Sequence, residues 1–154
     1  MAIDKVRDYF RQFNMEDRIL EFEESSATVE LAAHAVGCEP AHIAKTMSFK
    51  CEDGCILIVT AGDTKIDNGK FKAQFHMKAK MLSPDEVIEL VGHAIGGVCP
   101  FAVGDKVRVY TDISLQRFEV VYPAAGSSNS AVRLSCDELY KYSNSLGWID
   151  VCRC

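Results

Sequence analysis

Two apolar segments joined by a short turn constrain the fold of this chain more than any other feature. KTMSFKC (residues 45–51) and CILIVTA (residues 55–61) flank Glu52-Asp53-Gly54, which is typical of a hairpin turn. The second segment is apolar over nearly its whole length, so both of its faces need cover. The sequence therefore predicts an antiparallel hairpin whose second strand is central in a sheet.

Helical and strand patterns alternate irregularly along the rest of the chain. Ser83 and Ser135 each precede, by three residues, a glutamate that can complete a capping box, and Gly37 can end a helix. We expect helices over residues 3–13, 28–36, 67–75, 84–91 and 136–143, and further strands over 18–23, 78–82, 106–111, 118–122 and 131–134. These patterns and the length of 154 residues predict a single domain over residues 1–154 with an α+β (mixed α/β) fold, in which helices surround a mixed, curved sheet of six or seven strands.

Two adjacent glycines interrupt an apolar segment, GHAIGGVCPFAV (residues 92–103), just after the fourth predicted helix. A buried strand disfavours glycine, because glycine has no side chain to pack. Gly96 and Gly97 therefore indicate close approach to the backbone, and Pro100 stiffens the loop after them. The loop can hold a carbonyl or carboxylate oxygen on its N–H groups, or it can be a plain connection that needs a positive φ at Gly97.

Lys45 is the residue of the hairpin that is hardest to explain by packing alone. Alternation along the strand places it on the same face as Met47 and Phe49, which is the apolar face. A lysine in such a row needs a cavity mouth, a partner or a route to water for its ammonium. The residues alone leave open whether Lys45 extends to water at the strand end or serves a functional site.

The charge balance restricts the partners that this chain can bind. Its net charge is −5 and its pI about 5.3. This acidic balance disfavours binding of DNA or RNA over an extended surface, but it allows a small basic pocket for one end of an RNA. No apolar segment reaches the ~18–20 residues of a membrane span, and the charged, amphipathic N-terminus does not resemble a secretory signal. We expect a cytoplasmic protein with neither a membrane nor DNA as a partner.

Seven cysteines raise the alternative of a thiol or metal protein. Their odd number favours reduced thiols. Cys51 and Cys55 flank the hairpin turn and could face each other, but the Cys152-Arg153-Cys154 segment lacks the repeated spacing of a zinc site. We therefore expect no metal and no cofactor, and interpret the cysteines as small buried hydrophobic residues.

Lys45 in IAKTMSF, followed about fifty residues later by GGVCPF, resembles the YbaK/prolyl-tRNA-synthetase-associated domain family. These are freestanding and inserted editing domains that hydrolyse mischarged aminoacyl-tRNA. The hallmarks of the family are a lysine and a Gly-x-x-x-Pro loop, which here fall on Lys45 and on Gly96 to Pro100. The resemblance covers nearly the whole chain and implies the fold of that family.

The resemblance implies a trans-acting aminoacyl-tRNA deacylase that needs no cofactor. Its expected substrate is the acceptor end of tRNA-Pro carrying a small amino acid such as alanine, cysteine or serine, and a prolyl-tRNA synthetase is an expected second partner. In the family the lysine positions and neutralises the substrate, and water or a group of the substrate attacks the ester. The sequence contains no obvious Ser-His-Asp or Cys-His triad, which such a mechanism does not require.

The same resemblance assigns the site residues. It implies catalytic roles for Lys45, Gly96 and Pro100. It implies contact with the substrate for Gly97, Val98, Cys99, His93, Phe101, Gly126 and Ser127. His93 could act as an acid or base, contact the adenosine or cap the preceding helix. Cys99 could tune the size of the pocket. Where many relatives have glycine-rich or basic residues, this chain has Gly126 followed by Ser127, Ser128 and Asn129, which also suit an ordinary turn.

Two alternatives to the deacylase therefore stand beside it. One is a non-catalytic module that keeps the pocket and binds aminoacyl-tRNA or a synthetase. The other is the thiol or metal protein, which the cysteine spacings support less well.

Overall fold

The computed structural model describes residues 2–154 and is built on a mixed, curved six-stranded sheet. The strands of the described residues are β1 (Ile19–Glu21), β2 (Ile43–Cys51), β3 (Gly54–Ala61), β4 (Lys65–Ile66), β5 (Val107–Asp112), β6 (Val120–Pro123), β7 (Ser130–Val132), β8 (Leu134–Ser135), β9 (Trp148–Ile149) and β10 (Cys152–Arg153). The helices are α1 (Ala2–Arg11), α2 (Val29–Val36), α3 (Asn68–Phe75), α4 (Pro84–Glu86, continued by a π-helical turn over Val87–Val91) and α5 (Cys136–Tyr142). Short 3₁₀ turns lie at Glu16–Arg18, Pro40–His42 and Ile113–Arg117.

The predicted hairpin forms the centre of the sheet, whose strand order is β8-β6-β2-β3-β5-β9. β2 and β3 pair antiparallel over eight residues of each strand, from Ala44 opposite Ala61 to Cys51 opposite Gly54. Parallel pairing joins β3 to β5, β5 to β9 and β2 to β6, whereas β8 is antiparallel to β6. Two small antiparallel ribbons, β1 with β7 and β4 with β10, lie outside this sheet.

The continuous apolar sequence of β3 is explained by cover on both faces of the sheet. Leu57 and Val59 belong to the larger core, together with residues of α1, α4 and α5. Ile56 and Ile58 belong to a smaller core, which α3 closes with Phe71. A strand buried on both sides has no polar face, as its sequence predicted.

Local capping signals determine where the helices begin and end. Ser83 and Ser135 both form complete capping boxes with the glutamates three residues later. Gly37 ends α2 in the left-handed conformation, at φ 85°. These predictions from the sequence are confirmed.

Two details of the hairpin region differ from the prediction. The strand expected over residues 78–82 is reduced to a single bridge between Met81 and Phe49. Cys51 lies opposite Gly54 rather than opposite Cys55, because the turn holds only two residues between the paired ends. Within residues 2–154, no helix is long and apolar enough to cross a membrane.

Candidate functional site

The outer edge of β2 has an open stretch beside Lys45. β6 pairs with β2 only at Ile43 and Ala44. Further along the same edge, the segment of residues 80–82 is hydrogen-bonded to β2: the N–H of Leu82 donates to the carbonyl of Ser48. Over the part of the chain that the structure describes, no strand pairs with this edge at residues 45–47. The stretch of residues 45–47 is hereafter called the edge gap.

Thr46 directs polar groups into the edge gap. Ser48 and Lys50 bond to the segment of residues 80–82 through their main-chain groups, so even-numbered residues of β2 face this edge. The main-chain N–H and C=O of Thr46 therefore point towards the gap. The side-chain oxygen of Thr46 is buried and has no hydrogen-bond partner among the described residues.

A cavity of about 220 Å³ lies on the Thr46 side of β2 and extends to the edge gap. Its walls come from β2, the start of α2, the region of β6 and β7, and the loop of residues 95–100, which contains Gly96 and Gly97 and is hereafter called the glycine loop. They are mostly apolar, with hydroxyl groups between the apolar side chains. The lining includes Ser26, Thr28, Val29, Ile43, Lys45, Thr46, Ser48, Leu82, Ile95, Gly96, Val98, Tyr122 and Ser130. Of the described residues that line it, none is an aspartate, a glutamate or a histidine.

Among residues 2–154, Lys45 is the one cationic residue that lines this cavity. The half-buried side chain donates a hydrogen bond to the main-chain carbonyl of Thr64, and none of the described carboxylates forms an ion pair with it. Burial lowers the pKa of Lys45 below its usual value; the charges of Asp63 and Glu30 oppose this shift, and the positive charge of Lys65 adds a smaller lowering effect. An ammonium has three donors, so Lys45 has capacity left for an anionic or carbonyl ligand.

The two glycines of the glycine loop are needed for two different steric reasons. Gly96 lines the cavity and has φ 97°, a conformation that favours glycine. Gly97 instead packs on the protein itself: a Cβ at this position would lie 2.8 Å from the carbonyl carbon of Gly126. The group that lies close to Gly97 is therefore a neighbouring loop of the protein and not a ligand. The next residue, Val98, lines the cavity.

The loop of residues 126–130 supports the wall of the cavity from behind. The hydroxyl of Ser127 bonds to the hydroxyl of Ser130, and Ser130 lines the cavity. The amide of Asn129 donates to the carbonyl of Phe22, which ties the loop to the segment before α2. Gly126 has φ 93° and packs against the main chain of Ala2. Neither Gly126 nor Ser127 lines the cavity.

His93, Cys99 and Phe101 form a buried cluster behind the glycine loop. The Nε2 of His93 lies 2.8 Å from the carbonyl of Phe101 and must donate to it, since a carbonyl only accepts. The Sγ of Cys99 lies 3.5 Å from the same nitrogen, and the ring of Phe101 packs edge-on against Phe10. Burial lowers the pKa of His93 and raises the pKa of Cys99 to about 12. None of the three lines the cavity.

Pro100 lies on the other side of the loop, where it lines a separate cavity of about 260 Å³ with Tyr9 and Leu146. Of the residues that the sequence assigned to the site, the structure therefore brings Lys45, Gly96 and Val98 together at the cavity. Sequence reasoning did not assign Thr46 and Ser48, although their alternation with Lys45 and Met47 was a usable signal.

Metal-ligating groups do not gather at this site or elsewhere in residues 2–154: no three His, Cys, Asp or Glu side chains there are arranged to hold a metal ion. The seven cysteines are free thiols, and Cys55, Cys99 and Cys152 are buried.

Comparison of sequences places this chain among aminoacyl-tRNA editing proteins and domains. The family model described as the aminoacyl-tRNA editing domain matches residues 23–142. An uncharacterized protein of Bacillus subtilis (strain 168), YwhH, is 53% identical over 154 residues, which are 99% of this chain and 98% of that protein. A proline–tRNA ligase of Kosmotoga olearia is 28% identical over 106 residues, so 66% of this chain matches 18% of the ligase.

Solved structures extend the similarity to the fold. A crystal structure described as a candidate trans-editing enzyme for prolyl-tRNA synthetase superposes with a TM-score of 0.89 and 27% identity, over 99% of this chain and 98% of the other. A second structure, of a hypothetical protein, gives a TM-score of 0.84 and 26% identity, over 97% and 99% of the two chains. The sequence match to the editing domain includes Lys45 and the glycine loop.

Proposed function

Because the chain belongs to the aminoacyl-tRNA editing domain family, we propose that it is a trans-acting deacylase that hydrolyses the ester of a mischarged aminoacyl-tRNA. One observation carries the proposal: Lys45 is the cationic residue, among those described, that lines a small cavity beside the glycine loop, and no described carboxylate forms an ion pair with it. Action in trans is supported by the similarity to a structure described as a candidate trans-editing enzyme, which is 27% identical over 99% of this chain.

The reaction is hydrolysis of the ester between an amino acid and the terminal ribose. Water adds to the ester carbonyl, the bond from that carbon to the ribose oxygen breaks, and the ribose oxygen takes up a proton. Lys45 positions the substrate and neutralises the negative charge on it, including the charge that develops on the carbonyl oxygen. Removal of one such electrostatic contact typically slows an enzyme about 10²–10³-fold.

The proton that leaves the attacking water needs an acceptor. The cavity lining contains no carboxylate or imidazole among the described residues, and we assign Lys45 to the charge of the substrate. The substrate itself carries amine and hydroxyl groups next to the ester. We therefore assign the acceptor to the substrate or to a second water, with the protein supplying position and charge.

The size and lining of the cavity favour a small amino acid. At about 220 Å³ it is smaller than the ~300–1,000 Å³ of pockets for drug-sized ligands. Apolar walls with the hydroxyls of Ser48 and Ser130 suit alanine, cysteine or serine. An apolar pocket separates amino acids that differ by one methylene by only ~1–3 kcal/mol, so a separate hydrolytic step is useful. The similarity to proline–tRNA ligases makes tRNA-Pro the carrier we propose and such a synthetase a partner.

A deacylation assay tests this proposal. The substrates are tRNA-Pro charged with alanine, cysteine, serine or, as the correct product, proline. We expect the wild-type protein to release at least one of the small amino acids faster than proline, and Lys45→Ala to lose that activity. If every ester is as stable with the protein as in buffer, the deacylase proposal is wrong.

The absence of carboxylate and imidazole groups among the described lining residues also suits the second function, a module that binds aminoacyl-tRNA or a synthetase without hydrolysis. Binding of an amide-linked, non-hydrolysable alanyl-tRNA together with no turnover of the ester would favour this module. Turnover that depends on Lys45 would exclude it.

A further inference from the structure

One segment of this acidic protein is strongly basic. Residues 65–80 contain five lysines and one aspartate, whereas the whole chain has a net charge of −5. Lys70 is engaged, with hydrogen bonds to the carboxylate of Asp150 and to a main-chain carbonyl. The other four are exposed and form no ion pair among residues 2–154; they are Lys65, Lys72, Lys78 and Lys80. Unpaired cations in one segment predict an anionic ligand.

A groove of about 230 Å³ runs beside this segment, on the face of β2 opposite the cavity. Its lining is mainly apolar. It consists of Met47, Phe49, Ile66, Ala79 and Met81, with Lys45, Lys65 and Asn68 as the polar members. Among the described residues that line it, two are cations and none is a carboxylate. An apolar slot bordered by two ammonium groups fits a ligand with a flat apolar part and a negative charge.

The groove and the cavity meet at the edge gap. Lys45 and Met81 line both of them, although Met47 and Thr46 belong to opposite faces of β2. At the edge gap the outer edge of β2 has no neighbouring strand among the described residues, whereas its other edge is paired with β3. A single extended ligand can therefore occupy the cavity with one end and the groove with the next part of its chain, with Lys45 between them.

We propose that this groove binds a nucleotide next to the 3′ end of a single-stranded RNA, with its base against the apolar side chains and its phosphate at Lys65. The assignment rests on the proposed function for the direction of the RNA, since the aminoacyl end occupies the cavity. Lys45 and Lys65 repel each other in the free protein, and a phosphate between them removes that repulsion. Proteins hold unpaired bases by packing them against aromatic or apolar side chains, and basic grooves follow the backbone of single strands.

Short substrates of two lengths distinguish the contribution of the groove to catalysis from that of the cavity. Alanyl-adenosine reaches the cavity alone, whereas an alanyl trinucleotide ending in CCA also reaches the groove. We expect the wild-type kcat/KM to rise about tenfold with the longer substrate, and this gain to fall at least threefold in Lys65→Gln and in Ala79→Phe, which fills the groove. Lys106→Gln removes another exposed lysine, which lines a different pocket, and should keep the gain.

Binding of an uncharged oligonucleotide ending in CCA, measured by fluorescence anisotropy, tests the groove without catalysis. Lys65→Gln should weaken binding and reduce the slope of log K against log salt by about 0.7, the value for one phosphate contact on a single strand. If both groove variants bind the oligonucleotide more weakly than the wild type, the proposal that the groove binds RNA is supported. If the wild type in addition hydrolyses no ester, the deacylase proposal is wrong while the groove proposal stands. Unchanged binding and an unchanged length gain in Lys65→Gln overturn the groove, even if hydrolysis is observed.

Discussion

Gly97 lies against the main chain of Ser127 so closely that a Cβ on residue 97 would be 2.6 Å from the amide nitrogen of Ser127. The two residues join the glycine loop to the loop of residues 126–130, which carries Ser130 into the cavity wall. The shape of the cavity therefore depends on the absence of one side chain that does not itself line it.

Substitution of Gly97 by alanine should destabilise the protein by ~1–3 kcal/mol, because a main-chain neighbour cannot move aside as a flexible side chain can. The free energy of unfolding in urea measures this effect. Gly147→Ala is the matched control, since a Cβ at Gly147 meets no atom within 4 Å. Equal stability of the two variants would show that the two loops move apart at little cost.

Local signals predicted most of the fold. The hairpin, the capping boxes and the left-handed end of α2 each depend on residues close together in sequence, and all are present. β4, β9 and β10 have two residues each, too few for a periodic pattern, so they were not predicted. The segment 78–82 has strand-like residues but only one bridge, because pairing depends on the neighbour that the tertiary fold provides.

The candidate site was predictable only in part, for a similar reason. Lys45 was notable because it interrupts an apolar row, and Gly96 because glycine is unusual beside apolar residues. No local sequence pattern predicts that Gly97 packs against Ser127, which is thirty positions away. Nor does any predict that the imidazole of His93 donates to the carbonyl of Phe101. Contacts between distant segments decide which residues of a loop face a cavity and which face the core.

Lys45→Met should remove activity without weakening the fold. We expect kcat/KM for a misacylated tRNA to fall at least ~100-fold, because methionine keeps the length of the side chain but not the charge. The pKa of Lys45 is lowered in the folded protein, so the charged form destabilises it. The variant should therefore unfold at an equal or higher urea concentration, and this advantage should shrink as the pH rises through the folded pKa.

Lys45→Arg is the companion variant, since it keeps the charge and changes the shape. Partial activity in Lys45→Arg would indicate a role for charge. A lower urea midpoint in Lys45→Met would instead mean that the bond to the carbonyl of Thr64 is structural.

His93 should make the stability of the protein depend on pH below neutrality. Burial lowers its pKa in the folded state, so the unfolded chain binds a proton first as the pH falls through about 6.5. Stability is then lost towards lower pH until the folded-state pKa is reached, with a slope of at most ~1.4 kcal/mol per pH unit for one group. Urea unfolding between pH 8 and pH 5 measures this slope.

His93→Gln should flatten this dependence, because a glutamine amide can still donate to the carbonyl of Phe101 but does not titrate. His76→Gln, at an exposed position, is the control for the substitution of a histidine by glutamine. The same slope in wild type and His93→Gln would mean that other groups titrate in this range.

The thiols should react in the order of their exposure. Cys154 is exposed, whereas Cys99 is fully buried and has its pKa raised to about 12. Cys99 is therefore almost entirely un-ionised at pH 8, and the thiolate is the reactive form. Iodoacetamide treatment of the native protein at pH 8, followed by peptide mass spectrometry, should label Cys154 first and leave Cys99 unmodified. Labelling in urea, where all seven thiols are accessible, is the control; rapid labelling of Cys99 without urea would contradict its place in the core and revive a role for that thiol in chemistry.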